Sequence, residues 1–359
     1  MSTAFTMSRR GALAMMGGWA AGLAAMPALF AAGAQTRKRL GVCTYSYGNH
    51  WRAARSGANV PFTDTLQFID YCHGLGAGGV QIALGSQDLD YAKRVRARSE
   101  KLGMYFEGQV SLPKSESDLE RFTADIRLGK EAGAEVVRAA ALSGRRYETF
   151  DSAEAFRAFA EQSWTSVALA EPILRKHRVR LALENHKDWR VEEFVRRLKG
   201  LSSEWVGVNV DTGNNIALLE EPHAVVEALA PFAFSSHLKD MAVAPSADGF
   251  LLSEVPLGDG FLDLKRMVQA LEKANPRIEF NLEMITRDPL RVPCLTGKYW
   301  ATMAETPASE LASALALVQK NQSAKRLPRI TGLAPEAQRE LEDHHVRRSF
   351  GVATAGLFS

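Results

Sequence analysis

The chain has 359 residues, 46% hydrophobic and 24% charged, with a net charge of +3 spread along the chain without a long basic block. This is ordinary globular composition, with length for one large domain or two small ones, and it carries no nucleic-acid footprint. The three cysteines, Cys43, Cys72 and Cys294, lack metal-type spacing, and no structural disulfide is expected.

The amino terminus reads as a targeting segment. Ser8-Arg9-Arg10 precedes an apolar Gly/Ala-rich run to Ala32, and Ala32-Gly33-Ala34 supplies a small-residue cleavage site before Gln35. The paired arginines resemble a twin-arginine signal; a general secretory signal with a chance Arg pair is the alternative. The expectation is an exported, periplasmic protein with no membrane segment after cleavage. The division is a signal peptide at 1–34, a barrel domain at 35–322 and a polar tail at 323–359, the tail with one candidate helix at Pro335 to His345.

In the mature chain, Leu40 to Tyr45 reads as a first strand, followed by a loop with Tyr47, Asn49, His50 and Trp51. A helix follows, with Thr63 as N-cap and Leu66, Phe68, Ile69 and Leu75 as its apolar positions. Gly79 to Leu84 is a second strand and Asp88 to Leu102 a second helix. Met104 to Val110 is a third strand, with Glu107 assigned to capping the next helix, Ser117 to Ala132. Glu135 to Ala141 and a long helix, Ala153 to Lys176, come next.

The following four strands share one layout. Val179 to Leu183 ends in Glu184, Val206 to Val210 in Asp211, Phe232 to Ser236 in His237, and Ile278 to Leu282 in Glu283. Helices from Val191 to Lys199, Pro222 to Leu229 and Leu264 to Lys273 separate them, and Ala308 to Lys320 closes the series. Eight strand–helix pairs imply an α/β protein with a parallel sheet, which most simply closes into a (β/α)8 TIM barrel. An open doubly wound sheet is the competitor, and the missing G-x-G-x-x-G turn after the first strand speaks against it.

In a barrel, the ends of the last four strands lie side by side on the carboxyl rim, where functional groups gather. Three carboxylates and one imidazole suit one divalent ion among Mn, Mg, Co, Fe and Zn. Each residue alone would more often be a helix cap or an ordinary polar partner; the series of four singles out a metal set of Glu184, Asp211, His237 and Glu283. Four further residues near these ends are candidates for substrate contact: His186, Asn214, Lys239 and Arg287. Trp51 in the first loop is a fifth, as a surface for stacking a sugar ring.

The endings Leu183-Glu184-Asn185-His186, Asp211-Thr212-Gly213-Asn214, His237-Leu238-Lys239-Asp240, Pro256-Leu257-Gly258-Asp259-Gly260 and Leu282-Glu283 resemble the xylose isomerase-like TIM-barrel superfamily, in its sugar isomerase/epimerase branch. The resemblance spans roughly Leu40 to Lys320. It implies that Glu184, Asp211, His237 and Glu283 hold one divalent metal, and that Glu184 and Glu283 flank the substrate as catalytic acid and base. The implied activity is metal-dependent isomerisation or epimerisation by proton abstraction next to a carbonyl, through a metal-stabilised enediolate. A keto-sugar or keto-glycoside lyase or dehydratase using the same metal and glutamates, or a non-catalytic carbohydrate-binding barrel, stays open. The implied partner is a small sugar or keto-glycoside; the sequence leaves homo-oligomerisation open. Epimerases of the family often carry His where Asn214 stands, and Asn can hydrogen-bond a hydroxyl without shuttling a proton.

Overall fold

The computed structural model describes residues 40–358, so the segment read as a signal peptide, 1–34, lies outside the described residues. The chain begins with β1 (Gly41–Cys43), α1 (Gly48–Arg55), α2 (Thr65–Gly74), β2 (Gly79–Ile82), α3 (Leu89–Leu102) and β3 (Tyr105–Gln109). It continues with α4 (Leu119–Glu131), β4 (Val136–Ala139), α5 (Arg146–Thr149), α6 (Ala153–His177), β5 (Arg180–Glu184), α7 (Val191–Leu201) and β6 (Val206–Asp211). Then come α8 (Pro222–Leu229), β7 (Ala233–Leu238), β8 (Asp240–Ser246), β9 (Gly249–Val255), α9 (Leu264–Ala274), β10 (Glu279–Leu282) and β11 (Leu290–Val292). The helices α10 (Gly297–Trp300), α11 (Ala308–Lys320) and α12 (Pro335–Gly356) complete it.

Among the described residues, eight strands close into a barrel in the order β1-β10-β7-β6-β5-β4-β3-β2, and their pairings are parallel. This is the expected (β/α)8 architecture. The helices start where capping chemistry places them. Asp88, Ser152, Glu221 and Asp263 each accept a first-turn backbone N–H of α3, α6, α8 and α9. For α2 the cap falls one residue later than expected. Asp64 accepts the Gln67 N–H at 3.0 Å, and the Gln67 side chain reaches back to the Thr63 N–H at 2.8 Å. Amphipathic spacing then fixes each inner face. In α9, Leu264, Met267, Val268 and Leu271 are buried, each contributing about 1.5–3 kcal/mol by burial; an Asp at Leu271 would break that face.

Three elements depart from the sequence reading. The first loop is largely helical, forming α1. The insertion after β7 supplies β8 and β9 of a small antiparallel sheet, ordered β11-β9-β8, whose third strand comes from the segment after β10. The helix read in the polar tail at Pro335 to His345 starts there but runs on to Gly356 as α12, which buries Glu342, Val346, Ser349, Phe350 and Ala353. Glu342 accepts the backbone N–H groups of Asn49 (2.8 Å) and His50 (3.0 Å) at the start of α1 and pairs with His50 Nδ1 at 2.8 Å. A carboxylate from the far end of the chain thus satisfies orphan donors of α1, a pairing that local sequence does not reveal. All three cysteines are free and buried.

Candidate active site

Strand alternation aims the site. Asp211 lies level with His237 on the neighbouring strand, and Asn281 with His237 on the other side, so inward residues of β6, β7 and β10 share one axis. The structure brings Glu184, Asp211, His237 and Glu283 together: one ligand atom from each lies within 4.8 Å of every other. His237 Nδ1 is 3.4 Å from Glu283 Oε1, 3.6 Å from Glu184 Oε2 and 3.9 Å from Asp211 Oδ2. All four residues are buried.

Each of the four side chains is held from behind. Asp211 Oδ1 accepts the N–H groups of Gly213 and Asn214, both at 2.9 Å, so the turn after β6 grips one oxygen and leaves the other facing the cluster. Gly213 suits this turn because a Cβ there would lie 2.7 Å from the Met241 side chain. Glu184 Oε2 accepts Arg138 Nε at 2.6 Å and Arg138 Nη2, while Oε1 accepts Asn214 Nδ2 at 3.0 Å. Glu283 Oε2 pairs with Lys239 Nζ at 2.6 Å. His237 Nε2 sits 2.7 Å from Gln81 Oε1. Gln81 Nε2 in turn donates to Glu107 Oε2 at 2.9 Å, and a carboxylate can only accept, so Gln81 must present its oxygen to His237. That fixes the proton on Nε2 and leaves the Nδ1 lone pair facing the three carboxylates.

The donor set fits a divalent cation. His237 Nδ1 and Asp211 Oδ2 are buried without hydrogen-bond partners; Lys239 Nζ is 2.9 Å from that oxygen but outside hydrogen-bond geometry. Burial works to raise the Glu184 carboxyl, but Arg138 and then His237 hold it down, to about 2. Burial likewise opposes ionisation of Glu283, and Lys239 and His237 outweigh it, keeping its pKa well below the usual range. Burial would lower His237, yet Glu283, Cys43 and Glu184 push it up, so a proton and a cation compete for Nδ1.

A cavity of about 1090 Å³ opens onto the cluster, lined by Tyr45, Arg138, His186, Lys187, Lys239, Glu283 and Arg287 among others. The two expected acid/base residues are not equivalent. Glu283 lines this cavity; Glu184 is not among the lining residues, and both of its oxygens are engaged by Arg138 and Asn214. Of the substrate candidates, His186, Lys239 and Arg287 reach the cavity. Asn214 lies behind it, where its Oδ1 accepts from Lys239 Nζ (3.1 Å) and Lys187 Nζ. Trp51 is elsewhere: its ring packs 4.9 Å from Phe62 and 5.4 Å from Phe68 and borders a separate, smaller cavity. Glu107 caps no helix; Gln81, Ser235 and Asn281 bind it inside the barrel.

Sequence reasoning missed Gln81, Arg138, Lys187 and Glu254. Gln81 and Arg138 had a signal, since each is a lone polar residue inside a short apolar strand and points inward beside the site. Glu254 had none: it arrives on β9 from the small sheet and binds Arg287 through Nε at 3.1 Å and through Nη2.

Fold and site together define a class: a (β/α)8 barrel whose carboxyl rim gathers three carboxylates and an imidazole that fit a divalent cation. A profile described as xylose isomerase-like TIM barrel matches residues 69–315, and the chain belongs to that family. The chain is 24% identical over 241 residues to 3-oxo-isoapionate decarboxylase of Pectobacterium atrosepticum, covering 65% of this chain and 80% of that protein. Two solved structures share the fold. D-psicose 3-epimerase with D-tagatose, from Clostridium cellulolyticum, superposes with a TM-score of 0.54 at 14% identity, over 79% of this chain and 97% of its own. A xylose isomerase-like TIM barrel protein from Mycobacterium smegmatis in complex with magnesium gives 0.52 at 16% identity, over 77% and 98%.

Proposed function

We propose that the protein is a divalent-metal-dependent enzyme that isomerises or epimerises a sugar or keto-glycoside by removing a proton next to a carbonyl. The observation that carries this reading is the convergence of Glu184, Asp211, Glu283 and the unpartnered Nδ1 of His237 beside a large cavity that Glu283 lines. A divalent ion held there supplies Lewis acidity to a substrate carbonyl, which acidifies the neighbouring C–H. Glu283 is the base: it faces the cavity, and Lys239 beside it keeps it ionised and ready to accept the proton. Glu184 is the second carboxylate, held ionised by Arg138, and it acts in proton transfer only when Asn214 or Arg138 releases one of its oxygens. Asn214 positions Glu184 and both lysines and moves no proton itself.

A second reading is bond cleavage next to the carbonyl, by a lyase, dehydratase or decarboxylase. The name of the Pectobacterium atrosepticum relative favours it, and the same residues would serve, because both reactions pass through an electron-rich carbon next to a polarised carbonyl. Export through the Arg9-Arg10 segment is part of the proposal. An Arg9→Lys/Arg10→Lys chain should stay in the cytoplasm of an expressing bacterium, and normal export of that variant would refute twin-arginine routing.

The deciding experiment is solvent exchange. The Mn2+-loaded protein is incubated in D2O with a panel of ketoses and keto-glycosides, and each α-proton is followed by NMR. Deuterium should enter at least one substrate and fail to enter with Glu283→Gln. Absence of exchange across the panel, with metal bound, would leave a carbohydrate-binding barrel or a hydrolase.

A further inference from the structure

The charges around the cavity do not balance once a divalent ion is counted. Four carboxylates, Glu184, Asp211, Glu254 and Glu283, face four cations, Arg138, Lys187, Lys239 and Arg287. Three of those cations have carboxylate partners: Arg138 with Glu184, Lys239 with Asp211 and Glu283, and Arg287 with Glu254. Lys187 has none among the described residues. It lines the cavity, it is only 2% exposed, and its ammonium donates to the neutral Asn214 Oδ1. Lys239 donates to that same oxygen at 3.1 Å, so two ammonium groups converge on one amide. With His237 neutral these eight groups cancel; counting the Glu107 carboxylate behind Gln81 as well, one positive charge of a bound divalent ion remains uncompensated.

A buried charge without a counter-charge is costly to keep. Burial, then Lys239 and Arg287, push Lys187 down to about 7. Asn214 Oδ1 already has Lys239 as a donor at 3.1 Å, so that amide does not depend on Lys187 for a partner. We infer that Lys187 is the anchor for a carboxylate on the substrate, so that the site takes a sugar acid, a keto-aldonate or keto-uronate, in preference to a neutral ketose. Arg287 stands on the same cavity and uses Nε and Nη2 on Glu254, which leaves N–H groups of its guanidinium for the second carboxylate oxygen. The inference rests on the sugar-enzyme reading for the nature of the ligand.

The test is calorimetric binding to the Mn2+-loaded mature protein, which reports affinity whether or not turnover occurs. D-fructuronate and D-fructose differ only in a carboxylate against a hydroxymethyl group, as do D-tagaturonate and D-tagatose. In at least one pair the acid should bind at least about ten-fold more tightly, equivalent to about 1.4 kcal/mol. Lys187→Met, and Lys187→Gln as an independent replacement, should remove that preference. Equal affinities within both pairs, tighter binding of the ketose, or no detectable binding of either acid would overturn the inference, and none of these needs a variant. A preference that survives in Lys187→Met would also overturn it, because the carboxylate would then sit on the metal or on Arg287 alone. Lys187-dependent binding of an acid without deuterium exchange would leave this inference standing and remove the isomerase reading. Exchange with equal affinities would do the reverse.

Discussion

Replacing Gln81 with leucine should weaken divalent metal binding without unfolding the barrel. Gln81 does not itself line the cavity, although Gln109, which does, donates to its Oε1 at 3.2 Å. It accepts the His237 Nε2 proton at 2.7 Å, and its own amide orientation is locked by Glu107 at 2.9 Å. Leucine is close in volume, so packing inside the barrel is nearly preserved, and Glu107 keeps Ser235 (2.7 Å) and Asn281 (2.9 Å) as donors. His237 loses the acceptor that holds its tautomer. An unsatisfied buried N–H costs about 1–3 kcal/mol, and the ring relieves that cost by moving its proton or turning, either of which withdraws Nδ1 from the cluster. Loss of a hydrogen-bond partner behind a metal-ligating histidine typically costs about 10–100-fold in affinity, or about 1.4–2.8 kcal/mol. Competition titration of Mn2+ or Co2+ against a chromophoric chelator gives the number directly, with circular dichroism to verify the fold. A Gln81→Leu dissociation constant within about three-fold of the parent value would show that the Glu107–Gln81–His237 chain does not set the ligand, and the argument for Nδ1 would fall with it.

Three more outcomes follow from the same geometry. Asp211→Ala removes the carboxylate whose free oxygen faces the cluster and should abolish stoichiometric Mn2+ binding in equilibrium dialysis while leaving the circular dichroism spectrum intact; full occupancy would refute the ligand set. Glu342→Ala strips the acceptor from two backbone N–H groups, the Asn49 amide and His50, and should lower the unfolding free energy by about 3–4 kcal/mol in urea melts, with α1 and α12 losing hydrogen-exchange protection first. His345, buried on α12 with Thr286 Oγ1 2.9 Å from its Nδ1, is pushed down to about 4 by burial and then by His344. Its folded pKa lies below its unfolded value, so its contribution is fully present above about pH 6.5 and is lost as pH falls toward 4, by at most about 3 kcal/mol. His345→Gln should flatten that part of the stability–pH curve, and an unchanged slope would refute the assignment.

The eight-strand alternation and the four strand-terminal residues that converge in the fold were legible in the sequence because both are local. A short β-branched run with no polar interruption reads as a strand buried on both faces, and the residue where it breaks is the one that reaches the rim. Capping was legible to within a residue for the same reason: the cap of α2 was read at Thr63 and falls at Asp64. Signals were present but unread at Gln81 and Arg138, whose polarity inside apolar strands is odd unless something across the barrel needs it.

What only the tertiary structure decided is the pairing of charges far apart in the chain. Glu184 meets Arg138, Glu254 meets Arg287 from an inserted sheet, and Glu342 meets the start of α1 across nearly the whole chain. Each of these contacts depends on which elements become neighbours when the barrel closes, and no periodicity or motif encodes that distance. The residue types that could hold a metal were therefore written at the strand ends. The ionisation of each carboxylate, the tautomer of His237, the placement of Trp51 outside the main cavity and the unpaired charge of Lys187 emerged only when the fold set the electrostatic environment around them.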